Sequence, residues 1–386
     1  MESGSIQAVL NLITENNAAL WMYDPMAGQA GAAGILINKD GAGVWGLSGN
    51  NNFLSSGGGT VMNVNEGSLL LSGGGARNSF RSDQANIHLA GSSSQFNLGA
   101  ATLVVGGDNQ ILSDGQVNLN AGAVITVEGG RPASLTLNQA YLNGPVEFDI
   151  GTGERLALEA VLTGAGDLDK TGDGSLVLAR TGHNFGDLTL TGGTLGLVAS
   201  ESEAALTVNS VTFNTGTTLD ISGFSGEEFG QRVTLIVSND DILFNEPGNQ
   251  PKVTIGQNAT VDFLTTQVEL ANNDKHLDAI IGLTWYDPST DGTGSYDLAH
   301  GDFTLNDPSG GFKLEAQLND RAGVFDSGWD GKSLTKKGQG ILLLTADNTY
   351  SGRTTSEDGT LAIYSLDSSG LNQTDKEVEI QANGTL

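Results

Sequence analysis

Cysteine is absent from the 386-residue sequence, and proline occurs only 7 times. The lack of cysteine excludes disulfide bonds, zinc–cysteine sites and cysteine nucleophiles. Aromatic residues make up 6% of the chain, which leaves few large side chains for a thick globular core. We therefore expect a thin core built mainly from aliphatic residues.

Basic residues are also scarce. The chain has 17 Lys and Arg against 45 Asp and Glu, which gives a formal net charge of −28. Binding of nucleic acid depends on clustered basic side chains that neutralise phosphates, so no nucleic-acid partner is predicted. The acidic residues form no long run, which indicates that they are spread over a folded surface.

Long apolar runs are missing as well. No stretch reaches the ~18 consecutive apolar residues of a membrane-spanning helix. The start, MESGSIQAVLNLITENN, lacks the basic residues of a secretory signal, and Asn11 breaks its short apolar run. The end, EIQANGTL, has the pattern of one more strand. We therefore expect the sequence to be a fragment of a longer chain.

Glycine, by contrast, is abundant at 56 residues, and glycine with little proline is typical of tight turns between short strands. Apolar side chains recur two residues apart along the chain, which predicts strands with one buried face. Clusters of Gly, Asn, Asp and Ser between these runs predict turns. Clear examples of the alternating runs are SLLLS (68–72), NIHLA (86–90), TLVVG (102–106), VITVE (124–128), SLTLN (134–138) and TLDIS (218–222).

The spacing of these runs favours a repeat array. Equivalent apolar positions such as Leu69, Ile87 and Leu103 follow one another at nearly equal intervals. A near-constant step indicates a solenoid, in which each coil, meaning one full turn of the chain, covers the open edge of the coil before it. An antiparallel sandwich would favour strands about 8–12 residues apart, joined by two-residue turns. The predicted fold is all-β, a right-handed parallel β-helix with one coil per roughly 16–18 residues.

The N-terminal segment fits more than one structure. Ile6, Val9, Leu10 and Ile13 have helical spacing, but a capping turn or a strand fits equally well. The whole chain is predicted to be one β-helix over 1–386. Its parts are a cap and first coils (1–36), β-helix coils (37–288), an inserted hairpin (289–331) and further coils (332–386).

One motif occurs three times: Lys-x-Gly-x-Gly, then alternating apolar residues, then an Asn close before an aromatic residue. The copies are INKDGAGVWGLSGNNNF (37–53), LDKTGDGSLVLARTGHNF (168–185) and LTKKGQGILLLTADNTY (334–350). Three occurrences predict a structural unit. The aligned positions are Lys39, Gly41, Gly43 and Phe53 in the first copy, Lys170, Gly172, Gly174 and Phe185 in the second, and Lys336, Gly338, Gly340 and Tyr350 in the third.

The residue types of this motif predict a corner of the coil. Two alternate glycines allow positive φ or a bulge where the chain turns. An Asn can bond the turn backbone or stack on the Asn of a neighbouring coil, and the Phe or Tyr would fill the interior at one corner. The glycines precede strands rather than a helix, so no helix N-terminus is available for a phosphate.

A second repeat precedes two copies of the motif, as LWMYDP (20–25) and LTWYDP (283–288). The first occurrence lies close before Lys39, whereas the second lies far before Lys336, so the second interval contains an insertion. Alternating runs at 302–306 and 312–318 predict that residues 289–331 form a β-hairpin that projects from the stack.

Projecting segments are common binding sites, and exposed aromatic rings bind proteins and sugars well. Packing of Trp285 and Trp329 against the coils is an equally good interpretation of those two residues. The predicted ligand-contact residues are Trp285, Tyr286, Tyr296, Phe303 and Trp329.

Motifs for catalysis are weak. DGKS (330–333) lacks the first glycine of a P-loop, and FDSG (325–328) lacks the first glycine of a serine-protease motif. Neighbouring acids would suit a polysaccharide lyase or hydrolase, or calcium at SNDDILFNE (238–246), but with 45 acids such neighbours arise by chance. No catalytic residue, cofactor or metal is predicted. The neighbouring acids are Asp240 with Asp241, Glu227 with Glu228, and Asp167 with Asp169.

At the motif the sequence resembles the autotransporter-associated β-strand repeat of autotransporter passenger domains. The pattern Leu-x-Lys-x-Gly-x-Gly-x-Leu-x-Leu, then Asn-Thr-Tyr-x-Gly, then Gly-Thr-Leu is most complete at 334–361. The second copy has His183-Asn184-Phe185 in place of Asn-Thr-Tyr, and the first copy is the loosest.

The resemblance implies a right-handed parallel β-helix at the bacterial cell surface or outer membrane, or released from it, in an adhesin of the diffuse-adherence or self-aggregating type. Such a passenger would bind a protein or glycan of the host cell surface or extracellular matrix, or a copy of itself on a neighbouring cell. A signal peptide and a membrane barrel, both absent from this fragment, would belong to the full protein, and the barrel would be its link to the membrane. The alternative function is a carbohydrate-active β-helix enzyme.

Overall fold

A computed structural model of the chain describes residues 8–22, 27–30, 34–55, 59–72, 85–90, 92–129, 132–200, 202–222, 232–245, 252–255, 261–289, 294–308, 310–364 and 378–386. In these ranges the structure is all β apart from a 3-10 turn at Thr284–Tyr286. The chain divides into two compact units. The first contains Met1–Leu219, Thr234–Lys252 and Leu270–Leu277, and the second contains Asp220–Val233, Val253–Glu269 and Asp278–Leu386.

Each coil of the first unit contributes one strand to each of three parallel faces, which we call A, B and C. On face A every strand pairs in parallel with the strand one coil later. Its strands are β1 (Ala8–Ile13), β4 (Ile35–Asp40), β7 (Thr60–Val64), β10 (Gln95–Leu98), β13 (Gln116–Leu119), β16 (Ala140–Leu142), β19 (Leu162–Gly164), β22 (His183–Asn184) and β25 (Leu206–Val208).

Faces B and C follow the same rule. Face B contains β2 (Ala19–Met22), β5 (Val44–Leu47), β8 (Ser68–Ser72), β11 (Thr102–Gly106), β14 (Ala123–Val127), β17 (Val146–Asp149), β20 (Leu168–Thr171), β23 (Leu188–Leu190), β26 (Val211–Phe213) and β29 (Ile242–Phe244). Face C contains β3 (Ala27–Ala30), β6 (Gly49–Ser55), β9 (Ala85–Leu89), β12 (Asp108–Ser113), β15 (Ala133–Leu137), β18 (Arg155–Glu159), β21 (Ser175–Leu178) and β24 (Thr194–Val198).

The strands form because their side chains alternate between the interior and the outside. In β14 the side chains of Ala123, Ile125 and Val127 are buried, whereas those between them are partly exposed. Stacking such strands in parallel builds continuous aliphatic rows inside the coils. The predicted parallel β-helix is therefore confirmed.

The coils are longer than the sequence predicted. Ile87 lies beside Ile111 on face C, and Leu69 lies beside Leu103 on face B. Leu69 and Ile87, which suggested the shorter step, lie on faces B and C of the same coil. Strands on every face share a period of two, so spacing alone did not show which strands stack.

Five strands are divided between the two units. The last two of them, β31 (Leu264–Ala271) and β32 (His276–Leu283), are neighbours in one sheet and are joined by residues 272–275. This connection is too short for a parallel crossover, so these two strands form a β-hairpin, with positive φ at Asn272, Asn273 and Asp274. The five strands are β27 (Thr218–Ser222), β28 (Arg232–Ser238), β30 (Lys252–Ile255), β31 (Leu264–Ala271) and β32 (His276–Leu283).

The remaining strands belong to the second unit, and their pairs are also parallel. The long strand β39 (Thr354–Ile363) pairs with β37 (Leu334–Lys337) over its first part and with β38 (Ile341–Leu344) over its last part, so it closes two faces of one coil. The strands are β33 (Ser295–Tyr296), β34 (Asp302–Thr304), β35 (Gly311–Leu314), β36 (Val324–Phe325), β37 (Leu334–Lys337), β38 (Ile341–Leu344), β39 (Thr354–Ile363) and β40 (Val378–Thr385).

The hairpin predicted for 289–331 is wrong. Strands do lie in both alternating runs, but β34 pairs in parallel with β37 and β35 pairs in parallel with β38. The inserted residues therefore form a coil of the stack instead of a projection. At the N-terminus, residues 8–13 form β1, which agrees with the strand interpretation of that segment, and residues 1–7 lie outside the described residues.

The two units fill their interiors differently. Rows of Leu, Ile and Val dominate the first unit. The second unit has a core cluster that combines aliphatic and aromatic side chains, with Phe263, Trp285, Phe303 and Tyr350 fully buried. The expectation of a thin aliphatic core therefore holds for the first unit and fails for the second.

Candidate functional site

Each copy of the repeated motif places its lysine inside the structure. The side chains of Lys39, Lys170 and Lys336 are fully buried. Each ammonium donates hydrogen bonds of 2.5–3.4 Å to three backbone carbonyls, two from its own turn and one from the next coil. The acceptors are Asp40, Gly41 and Glu66 for Lys39, Thr171, Gly172 and Gly192 for Lys170, and Lys337, Gly338 and Asp358 for Lys336.

We call this arrangement the lysine corner. An ammonium has three donor hydrogens, and here all three find carbonyl partners, so the charge is hydrogen-bonded despite its burial. Burial lowers the pKa of all three lysines, for Lys170 to about 8. The sequence predicted that these lysines are structural, but it gave no sign that each one links two coils.

The first glycine of each motif has the left-handed backbone that the sequence predicted. Its φ is +76° at Gly41, +70° at Gly172 and +71° at Gly338. Residues with a side chain rarely adopt this conformation. The corner turn therefore depends on glycine at this position.

The second glycine is required for close approach instead of positive φ. A methyl group at Gly174 would lie 2.2 Å from the carbonyl oxygen of Gly151, on the preceding coil. In the same way, a methyl group at Gly193 would lie 2.2 Å from the carbonyl oxygen of Gly174. Coils at the corner therefore stack backbone on backbone, and Gly193 has φ of +68° as well. Gly43 and Gly340 meet backbone oxygens at similarly short range.

The aromatic residue that ends each copy is buried. Phe53, Phe185 and Tyr350 are 4%, 2% and 0% exposed, as expected for residues that fill the interior. The Tyr350 hydroxyl lies 2.7 Å from the Thr354 hydroxyl, and burial raises the pKa of Tyr350 to about 12. This tyrosine is therefore a neutral, hydrogen-bonded part of the core.

A buried polar residue lies two positions before each aromatic residue. Asn348 accepts a hydrogen bond from the Leu318 amide at 2.8 Å. In the second copy His183 takes this role, because its Nδ1 accepts from the Leu162 amide at 3.0 Å and its Nε2 donates to the Arg180 carbonyl at 3.0 Å. Burial lowers the pKa of His183 to about 4, so the ring is neutral at physiological pH. The equivalent residue in the first copy, Asn51, is also buried.

The predicted ligand-contact residues separate into two groups. Trp285 and Phe303 are fully buried, so the prediction is wrong for these two: no part of either ring faces solvent. The Trp285 ring lies 4.7 Å from Trp329 and 5.3 Å from Tyr350, and its Nε1 donates to the Asn319 carbonyl at 2.8 Å. Trp285 therefore packs inside the structure, as the other interpretation of this residue predicted.

Tyr286, Tyr296 and Trp329 are partly exposed. The Arg321 guanidinium lies 5.7 Å from the Tyr286 ring centre and 5.0 Å from that of Tyr296, and Tyr296 stacks on Phe325. Such contacts hold the rings in place at the rim of the aromatic core. Ligand contact by these three residues stays a prediction.

Some of the neighbouring acids and of the histidines have structural partners. Asp167 accepts a hydrogen bond from the Asp187 amide, and His300 contacts the Asp262 carbonyl. Among the described residues no group of three metal-binding side chains is arranged to hold an ion, and no helix is long and apolar enough to span a membrane. Glu227 and Glu228 lie outside the described residues.

A row of asparagines, which was not predicted from the sequence, lies on the outside of face A. Asn11, Asn38, Asn63, Asn97 and Asn118 occupy the same position on five successive coils. The Nδ2 of each of the last four donates to the Oδ1 of the Asn one coil earlier, at 2.8 Å in all four cases. We call this row the asparagine ladder. Sequence separations of 21 to 34 residues between its members concealed the alignment.

Known proteins support the resemblance to autotransporters. The family model described as Passenger-associated-transport-repeat matches residues 334–363, which begin at the third copy of the motif. The chain is also 31% identical over 131 residues to the adhesin BmaC autotransporter of Brucella suis biovar 1 (strain 1330). That match covers 33% of this chain and spans 4% of the relative's length. No solved structure matches the chain. Together the two matches confirm the predicted resemblance to an autotransporter passenger with associated repeats.

Proposed function

We propose that this chain is part of a bacterial surface adhesin, exported as an autotransporter passenger and exposed at the cell surface or outer membrane. The similarity to a relative described as an adhesin autotransporter supports this proposal. The role of the repeated motif agrees with this proposal, because its buried lysines join neighbouring coils of a solenoid.

Attachment would depend on extended surfaces instead of one pocket. Each parallel face repeats its outward side chains at the strand spacing of roughly 4.8 Å, which presents many similar weak contacts along the coils. Weak contacts repeated on one molecule and on many molecules of one cell give strong attachment through avidity. The partner would be a protein or glycan of the host cell surface or matrix, or a second copy of the chain.

The proposal includes no enzymatic activity. A glycosidase needs two carboxyl groups facing each other across a substrate. Asp169 lies beside Glu147 in the parallel register of face B. Burial, together with the neighbouring acids Asp167 and Glu147, raises the pKa of Asp169. Both side chains project from a flat sheet in the same direction, which places them side by side instead of across a groove.

Surface display tests the proposed function. Bacteria that display the full chain are compared with bacteria that display the same carrier alone, for binding to host cells and immobilised matrix proteins and for settling in suspension. We expect the chain to increase at least one of these. Purified chain is incubated with polysaccharides in parallel. Cleavage that a single carboxylate substitution abolishes, together with no gain in attachment, would contradict the proposal.

A further inference from the structure

A histidine side chain joins two coils of the first unit where the backbone pairing between them is short. Strands β19 and β22 of face A belong to successive coils, and their register contains one residue pair, Thr163 with Asn184. The preceding neighbours, β16 and β19, share three such pairs. The ring of His183 adds a further link, because its Nδ1 accepts a hydrogen bond from the buried Leu162 amide at 3.0 Å.

These bonds define the protonation state of the ring. The Leu162 amide can only donate, so the Nδ1 that faces it carries no proton, and the hydrogen of the neutral ring is on Nε2. Nε2 donates to the Arg180 carbonyl at 3.0 Å, in the turn that leads into β22. Both nitrogens therefore have backbone partners, and the side chain of His183 is fully buried. A second proton can be added only at Nδ1, towards the amide hydrogen of Leu162.

Protonation would turn the link between the coils into a repulsion. The Leu162 amide would lose its acceptor, and a charged ring would lie in an aliphatic interior. In agreement with this cost, burial lowers the pKa of His183 from the usual 6.5 to about 4. Opening of the boundary between β19 and β22 removes the cost, because water then solvates the charged ring.

The charged side chains near this turn do not bond to the ring. They are Arg180, Glu159 and Glu203. Arg180 and Glu159 form an ion pair at 3.3 Å, and the Glu203 carboxylate accepts a hydrogen bond from the Thr181 hydroxyl. A protonated ring would therefore gain no carboxylate partner in the closed structure. The neighbours of β22 in the register of face A are uncharged, namely Thr163, Leu206 and Thr207.

The third copy of the motif has the same link without a group that titrates. There the Leu318 amide donates to Oδ1 of Asn348 at 2.8 Å. A carboxamide gains no proton between neutral and mildly acidic pH, so this link is the same at both. The links at His183 and Asn348 therefore make the same kind of backbone contact but differ in their response to acid.

We propose that His183 makes the boundary between β19 and β22 an acid joint, which is closed at neutral pH and opens locally near pH 5. Opening would uncover Leu162 and Leu206, which are fully buried in the closed chain. The link at Asn348 would stay closed at the same pH. A chain displayed on a cell would then present a different surface in acidic surroundings. The acid joint depends on the bonding of one side chain and not on the proposed function.

Hydrogen exchange of the full chain tests the acid joint, with mass spectrometry of the segments that contain Leu162 and Leu318. After correction for intrinsic exchange rates, we expect the protection of the Leu162 amide to fall about twentyfold between pH 7 and pH 5. This factor follows from a ring whose pKa is about 4 when closed and the usual 6.5 when open. The Leu318 amide, in the same molecule, should change by less than about twofold.

Two reciprocal substitutions identify the group that titrates. His183→Asn keeps an acceptor for the Leu162 amide and should remove the fall in protection. Asn348→His places the titrating ring in the third copy and should make the Leu318 amide sensitive to acid. Urea unfolding at pH 7 checks that both variants are folded. His183→Asn decides the question by itself where the second variant is unstable.

Three results would overturn the acid joint: protection of Leu162 that does not fall at pH 5, an equal fall at Leu318 in the parent chain, or a fall that persists in His183→Asn. Absence of attachment in the display experiment would remove the proposed function and leave these amide measurements unchanged. Attachment without acid opening would do the reverse.

Discussion

The corner at Lys170, in the first unit, and the corner at Lys336, in the second, have the same bonding although their surroundings differ. Both ammonium groups bind the carbonyls one and two residues later and one carbonyl of the next coil. In the parallel register Lys170 lies between Phe148 and Leu190, whereas Lys336 lies between Phe303 and Ser356. The corner is therefore a fixed unit, and the core around it can be filled in different ways.

The largest effect that separates the two regions is expected from the aromatic core of the second unit. Trp285→Ala removes a fully buried ring that contacts Phe303, Trp329 and Tyr350. We expect the free energy of unfolding to fall by about 3–5 kcal/mol in urea titrations. Tyr364→Ala removes a side chain that is 82% exposed and should change stability by less than about 0.5 kcal/mol. Equal losses would show that the aromatic cluster is not a packed core.

Close stacking at the corner is tested by two glycines that share positive φ. Gly172→Ala adds both backbone strain and a methyl group 2.3 Å from the Ile150 carbonyl oxygen, so we expect a loss of about 3 kcal/mol. Gly216→Ala adds the strain alone, because nothing lies within 4 Å of its methyl position, and should lose about 1 kcal/mol. Thermal or urea unfolding of both variants measures the difference, and equal losses would remove the role of close approach.

The contribution of a lysine corner to stability is tested by substituting two adjacent lysines of the third copy, Lys336 and Lys337. Lys336→Met keeps the apolar stem but leaves three carbonyls without their donor, so unfolding should become easier by about 2–3 kcal/mol. Lys337→Met removes a partly exposed lysine whose ion pair with Asp302 is 2.7 Å long, and the loss should stay below about 1 kcal/mol. A larger loss in the Lys337 variant would contradict the corner.

His183 provides a test that depends on pH. Its pKa is about 4 in the folded chain, below the usual 6.5, so the unfolded chain binds more protons between these values. The contribution of neutral His183 to the free energy of unfolding is complete above pH 6.5 and is lost as the pH falls towards 4. The loss is about 2 kcal/mol at pH 5.

His183→Asn installs the residue found at this position in the other two copies and should flatten that part of the pH profile. Unfolding measured from pH 7 to 4.5 tests this, with His88→Asn, at a partly exposed site, as control. A profile that keeps its slope in the His183 variant would show that another group titrates.

Local chemistry could be predicted from the sequence wherever a residue type has one physical use. Positive φ at Gly172 and burial of Tyr350 follow from glycine and from a lone aromatic residue in a repeat. The parallel β-helix followed from period-two strands and glycine-rich turns. The same strand pattern occurs on every face, however, so neither the coil length nor the stacking of residues 302–318 could be derived.

The features that could not be predicted from the sequence depend on contacts between residues far apart in the chain. The third acceptor of Lys39 is 27 residues away and that of Lys336 is 22 residues away, so no fixed interval in the sequence indicates them. The asparagine ladder has the same property. Trp285 was predicted to bind a ligand because it lies beside the predicted projection, where exposed aromatic rings would bind proteins or sugars well. Only the packed rings around it show that it belongs to the core.

The central claim is that the lysine of each motif is a buried link between coils. Amine labelling of the folded chain, followed by mass spectrometry, tests it at neighbouring residues. We expect Lys336 to stay unlabelled while Lys337 reacts, and Lys39 and Lys170 to react only after unfolding. Labelling of Lys336 in the folded chain as fast as Lys337 would contradict the account.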